Sequence, residues 1–263
     1  MARWSPEKSR PSFFWLMAGL GWLPSTLLFK YDIQGELPRT GPFILTPNHY
    51  SDIDPVVVGF GVWKLGRAPR FMAKASLFKV PVLGWFLRRS GQIPVERGRG
   101  HGNSKRAALE AAQTLVDHGR GVIVYPEGTL TREPNGWPMR GKSGAIRLAL
   151  AGDIPIIPVA TTGADRVVPR FQKKFRFRLR TPIVMRVGEP ISVRELVGER
   201  DDRATIDAAT AQVMREITKL LEQIRGETAP AELYDPVRYG QTEFGMPTAD
   251  PKRSEIQRDG DVK

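Results

Sequence analysis

Apolar and polar positions along the chain fall into short blocks that punctuate one another. Residues 43–46 (FILT) make a run of strand length, and after Pro55 the chain turns apolar again at Val56, Val57, Val58 and Phe60, as the first turns of a buried helix do. Proline suits the first helical position and aspartate is a favoured N-cap, so Asp54-Pro55 predicts a helix start. Upstream, residues 31–46 give two strands around Gly35 and a turn at Pro38 and Pro42. Downstream, 71–74 (FMAK) reads as a strand and 77–87 as a helix interrupted by Pro81 and Gly84. A short strand follows at 90–97, ending on Arg97. A helix capped at Asn103 or Ser104 presents Ala108, Ala111, Ala112, Leu115 and Val116 on one face and ends at Gly119.

The second half repeats the alternation. Residues 121–125 (GVIVY) form a continuous apolar strand that stops at the polar loop Pro126-Glu127-Gly128-Thr129-Leu130-Thr131-Arg132. Open α/β sheets place their ligands at such strand ends. A basic loop at 139–144 (MRGKSG) opens the next helix, whose N-terminus attracts phosphate. Residues 154–159 (IPIIPV) read as a strand with one edge free or bulged, because its two prolines are awkward in a central ladder. Residues 183–187 make the last strand, and 201–225 a helix with Ile206, Val213, Ile217 and Leu221 at core spacing. Beyond Gly226 the chain is polar and proline-rich, the composition of an extended or disordered tail.

Two stretches fit no core element cleanly. Residues 13–29 carry Phe13, Phe14, Trp15, Trp22 and Phe29, with Arg3, Lys8, Arg10 and Lys30 on the flanks. The run falls short of the roughly 20 apolar residues of a spanning helix, and Pro24 is expected to break it. Packing as a core helix is one reading. The other, favoured by the aromatic content and basic flanks, is a bent anchor that enters one leaflet and returns to the same side. Residues 170–180 (RFQKKFRFRLR) alternate basic and apolar positions with period two. That predicts a strand or hairpin with a cationic face near anionic lipid or a phosphorylated substrate, or a charge-protected edge. No nucleic-acid recognition motif accompanies it.

Composition narrows the chemistry. In 263 residues, 40 Lys and Arg against 28 Asp and Glu leave a net charge of +12, which favours an anionic partner. With no cysteine and three histidines, thiolate catalysis is excluded and no metal centre is expected. Among those histidines, His49 stands in a strand-to-helix loop five residues before Asp54. A carboxylate on one ring nitrogen fixes the tautomer and stabilises the imidazolium, leaving the other nitrogen to take a proton from a hydroxyl. Ser51 lies beside the pair, but the Gly-x-Ser-x-Gly elbow of a serine nucleophile is missing.

The blocks His49 to Asp54, Gly91 to Arg97, Tyr125 to Thr129 and Ile154 to Val159, in that order, resemble the 1-acyl-glycerol-3-phosphate acyltransferases, a family of glycerolipid acyltransferases. The resemblance covers residues 33–191 and implies a single αβ domain with a mixed, largely parallel sheet flanked by helices. It also implies a membrane-facing acyl tunnel. Around that domain (31–226), residues 1–30 would be a membrane-anchoring segment and 227–263 a tail. His49 and Asp54 would be the catalytic dyad, and Lys74, Arg97 and Arg132 the phosphate ligands. Glu127, Gly128 and Thr129 would form the acceptor or oxyanion loop, with backbone amides near Gly128 or Val95 as donors. The co-substrate would be acyl-CoA or an acyl carrier protein thioester, the acceptor a glycerol-phosphate lipid. No cofactor is implied, and no nucleic acid. The protein is expected at an anionic membrane surface on the cytoplasmic face, peripheral or monotopic. One departure stands out: the family commonly has arginine directly after Glu-Gly-Thr, where this chain has Leu130, which leaves Arg132, two residues on, as the candidate to supply the charge.

Overall fold

The computed structural model describes residues 13–95, 101–172, 174–200 and 202–242. The strands are β1 (Phe29–Gln34), β2 (Phe43–Pro47), β3 (Met72–Lys74), β4 (Ile93–Val95), β5 (Gly121–Ile123), β6 (Ile156–Thr162) and β7 (Thr181–Val187). Five of them form a sheet in the order β1-β7-β6-β2-β5, parallel throughout except for the antiparallel β6–β7 pair. The parallel β3–β4 pair continues past β5 through a bridge between Phe71 and Ile123.

The helices are α1 (Phe13–Leu28), α2 (Asp54–Lys64), α3 (Pro81–Arg89), α4 (His101–Asp117), α5 (Gly144–Gly152), α6 (Val193–Val197) and α7 (Arg203–Arg225). All five residues of β2 are buried, so this strand has helices on both faces. Phe43 and Leu45 pack with Val58 and Val62 of α2, while Ile44 faces Leu115 of α4, Ile146 of α5 and Ile217 of α7. Burying one such side chain fully is worth about 1.5–3 kcal/mol. α2 lies close on the sheet because Gly61 has no Cβ to collide with the Met185 thioether. That approach sets the height of the β2–α2 loop above the strand ends.

Several expectations change. The 13–28 segment is one helix that runs through Pro24, and among the described residues no helix is long and apolar enough to cross a membrane. Phe13 starts it edge-on against Trp85 and Phe86 of α3, with centroids at 5.6 and 5.3 Å. β6 is central, between β7 and β2. Pro158 is tolerated there because it pairs with Thr46 and presents its carbonyl to the Gly188 N–H (2.8 Å), just where the β7 ladder runs out. The 121–125 strand is paired only to Ile123. The described residues of the 170–180 stretch join no sheet. The first part of the tail is packed rather than loose: Tyr234 bridges to Met139, and Asp235 pairs with Arg140 at 3.0 Å.

Candidate active site

β2 delivers the chain into a loop that other elements hold in place. Asn48, buried, closes it onto the end of β6: its Oδ1 accepts the Thr161 N–H (2.7 Å) and its Nδ2 donates to the Thr161 carbonyl (3.1 Å). The Tyr50 hydroxyl donates to the same carbonyl at 2.6 Å. His49 itself is gripped through its main chain by the loop after β5. Its N–H donates to Glu127 Oε1 (2.9 Å), and its carbonyl accepts the Thr131 N–H (2.7 Å).

With the backbone fixed, the side chain has one strong partner. His49 Nδ1 lies 2.9 Å from Asp54 Oδ2, an oxygen that also accepts the N–H groups of Tyr50 and Ser51, each at 2.8 Å. Asp54 is the first residue of α2 and not its cap; Ile53 holds the cap position without a side-chain bond. Its carboxylate turns back to the loop because three donors wait there, while its charge sits at the positive end of the helix. Burial pushes the Asp54 carboxyl above its ordinary value, against the pull of His49 and the two amides. With Nδ1 engaged in this way, Nε2 is the ring nitrogen left able to take a proton. The imidazole lies against the Tyr125 ring, with centroids 4.1 Å apart and planes tilted by 31°. Ser51 is buried and donates its hydroxyl to the Val168 carbonyl (2.7 Å), a structural tie.

The Glu127 loop frames this site. Glu127 is buried and bridges two segments: Oε1 takes the His49 N–H, and Oε2 takes the Met139 N–H at 3.1 Å. Burial raises its carboxyl to about 8. Its two oxygens tie the His49 loop to the segment at Met139. Gly128 needs its positive φ of 72° for the turn, and its N–H already donates to the Tyr125 carbonyl (3.1 Å), so it is not an open oxyanion donor. The Lys142 stem passes over it, 3.3 Å from where a Cβ would stand. Thr129 is half-buried beside it. Leu130 is buried, and Arg132 is only 3% exposed. Arg170 secures the far end of this loop, donating to the carbonyls of Thr131, Glu133 and Pro134 at 3.1, 2.6 and 2.9 Å. Lys74 is placed by its backbone as the last residue of β3, and Arg97 lies outside the described residues. Asn48, Tyr50 and Arg170 escaped sequence reasoning because their partners are distant main-chain groups; only the adjacency of Asn48 to His49 offered a signal.

Among the described residues, two cavities adjoin these loops. An apolar groove of about 400 Å³ begins at Pro55 and Val56, next to Asp54, and runs past Gly59, Phe71 and Phe86 with Phe14 of α1 over it. A polar cavity of about 300 Å³ reaches Glu127 from the other side and is lined by Arg140, Lys142 and Arg203 with Asp207 and Asp235. Arg132 is not among its lining residues.

Residues 29–162, just over half of the chain, match the family model described as "Acyltransferase". The chain belongs to the acyltransferase family. It is 30% identical over 144 residues to the chloroplastic 1-acyl-sn-glycerol-3-phosphate acyltransferase BAT2 of Brassica napus, covering 54% of this chain and 40% of that protein. It is 30% identical over 173 residues to the lyso-ornithine lipid O-acyltransferase of Pseudomonas aeruginosa, covering 65% of this chain and 60% of that one. The chain thus spans between two fifths and three fifths of the length of these two acyltransferases. The crystal structure of the 1-acyl-sn-glycerophosphate (LPA) acyltransferase PlsC from Thermotoga maritima shares the fold, with a TM-score of 0.59 and 21% identity over 82% of this chain and 81% of that one. Within the matched span lie β2, the His49–Asp54 loop, the groove-lining face of α2 and the Glu127 loop.

Proposed function

We propose that this acyltransferase moves a fatty acyl group from a thioester, on coenzyme A or acyl carrier protein, to the free hydroxyl of a 1-acyl-glycerol-3-phosphate. The observation that carries the reading is a carboxylate-oriented imidazole beside the start of an apolar groove. His49 Nε2 takes the acceptor's hydroxyl proton as that oxygen attacks the thioester carbon. The tetrahedral intermediate then collapses, the C–S bond breaks, and the leaving sulfur takes the proton from the imidazolium. Asp54 holds the ring and stabilises its charge in between. No covalent enzyme intermediate is needed. Release of free thiol from an acyl thioester, measured against a panel of lipid acceptors, tests the assignment; release independent of any hydroxyl acceptor would overturn it.

The groove supplies the acyl-chain site. Gly59 lines it, and a Cβ there would sit 3.6 Å from Phe71 and Pro69, in ordinary contact. Gly59→Leu should therefore fold and shorten the space. The variant is expected to shift donor preference to shorter chains by roughly tenfold, the worth of one or two methylenes in an apolar pocket. An unchanged chain-length profile would place the acyl chain elsewhere.

For the acceptor headgroup, Lys142 over Gly128 and Arg140 beside it are, with Arg203, the cations that line the polar cavity. Lys142→Ala should raise the acceptor KM about tenfold or more, the cost of one charge-assisted hydrogen bond, with the donor KM unmoved. Asp207 and Asp235 in the same cavity favour a second reading, a headgroup that carries an ammonium, as in a lyso-ornithine lipid. A higher kcat/KM on that acceptor than on 1-acyl-glycerol-3-phosphate would decide for it.

Such acceptors reside in bilayers. α1, at 16 residues, is about 24 Å long against a hydrocarbon core of about 30 Å, and it exposes Leu16 and Leu27. It fits a helix that lies in one leaflet and holds the groove at the membrane surface.

A further inference from the structure

Apart from Arg170, the described residues of the basic and apolar alternation at 170–180 take no part in the site. After Arg170 the chain leaves the body of the protein, and 174–180 (KFRFRLR) is exposed at every residue. Phe175, Phe177 and Leu179 are 56%, 72% and 61% exposed, where a strand packed on a core would have hidden them. The segment is nevertheless pinned. The Arg176 N–H donates to the Val167 carbonyl (2.7 Å) and the Arg180 N–H to the Leu27 carbonyl (2.8 Å). The second bond ties it to the last turn of α1, so Leu179 stands close to exposed Leu27. None of Lys174, Arg176, Arg178 and Arg180 has an ion-pair partner among the described residues, and from Arg166 to Gly188 the sequence holds no acidic residue.

We propose that 174–180 is a second membrane-docking strap that inserts Phe175, Phe177 and Leu179 into the headgroup boundary of an anionic bilayer. The four cations meet lipid phosphates, their aliphatic stems lying along the apolar surface and their charged heads reaching to the headgroups. Charge complementarity and the continuity with α1 both point to lipid. A strap lateral to α1 gives the protein a second point of contact, which fixes its rotation about the helix axis and hence the orientation of the groove to the bilayer. Nucleic acid would also welcome the arginines, but the exposed leucines on the strap and on α1 offer it nothing. The proposal deepens the membrane reading above, while its test requires no turnover and so fails or succeeds apart from the acyltransferase assignment.

The chain has no cysteine, so Phe177→Cys gives a unique labelling site in the full-length protein. An environment-sensitive dye there is expected to shift to the blue with phosphatidylcholine vesicles containing phosphatidylglycerol, less with phosphatidylcholine alone, and less in high salt. In parallel, the double change Arg176→Glu/Arg178→Glu should weaken partitioning to the anionic vesicles by roughly tenfold or more. Absence of any dye shift with anionic vesicles overturns the proposal. So does a shift with single-stranded oligonucleotide but not with vesicles, which marks a nucleic-acid surface. A shift that grows with protein concentration and needs no lipid marks contact between copies of the chain, and likewise refutes it. The dye readout stands even where the charge reversal impairs folding.

Discussion

His49→Ala is expected to lower kcat by about 10²–10⁴-fold, the range for loss of a general base, while the circular dichroism spectrum and acceptor KM stay near those of the wild type. Among the described residues the side chain has a single polar partner, so little of the fold depends on it. Asp54 is different. Its Oδ2 is shared by His49 and two backbone amides, and the carboxylate anchors the whole loop. Asp54→Asn should lose activity through the missing charge and also lose stability, on the order of 1–3 kcal/mol for a buried donor left unsatisfied. Single-turnover acyl transfer alongside urea unfolding separates the two effects. Purified His49→Ala that turns over at the wild-type rate would remove the general-base role altogether.

The second large effect belongs to Glu127, and it depends on pH. A carboxylate accepts both the His49 and Met139 N–H groups, whereas a protonated acid or an amide can accept only with one end. With the carboxyl raised to about 8, wild type and Glu127→Gln should turn over alike below that pH. Above it the wild type gains its second clamp and the variant does not, so kcat of the variant should fall behind by roughly tenfold or more. Stability runs the other way. A carboxyl that titrates at about 8 in the folded protein, against 4.5 ordinarily, keeps a proton that the unfolded chain has released. Its contribution is fully present below about pH 4.5 and is lost as the pH climbs to about 8. Urea midpoints of the wild type should fall across that window more steeply than those of Glu127→Gln. Parallel pH profiles for the two proteins, in both rate and midpoint, would leave Glu127 without this role.

The chain's own pattern determined a good deal of this protein. The apolar runs at β2 and β6 and the Asp54-Pro55 start of α2 are local features, written in side-chain volume, backbone propensity and Pro chemistry. The five-residue spacing of His49 and Asp54 put both on one strand-to-helix loop, where an imidazole and a carboxylate can converge. The resemblance in four ordered blocks set the fold, and the family model and the shared fold bear it out.

What the tertiary structure decided involves partners remote in sequence. That Pro158 belongs in a central strand follows from where the β7 ladder ends. Glu127 grips a histidine 78 residues away and Asn48 a threonine 113 residues away, and backbone groups at that distance leave no periodicity to read. Arg132 was expected to supply the charge of the family's missing arginine; it is buried, and Arg140 and Lys142 line the polar cavity. The 170–180 stretch has the period of a strand, but a ladder needs a neighbour with open hydrogen bonds. Among the described residues β1 stands at the edge of the sheet with one side unpaired, yet the stretch bonds instead to Val167 and to Leu27 at the end of α1, so its phenylalanines face outward. Local propensity is a property of the chain; a free sheet edge and a buried acceptor exist only once the rest of the molecule has folded around them.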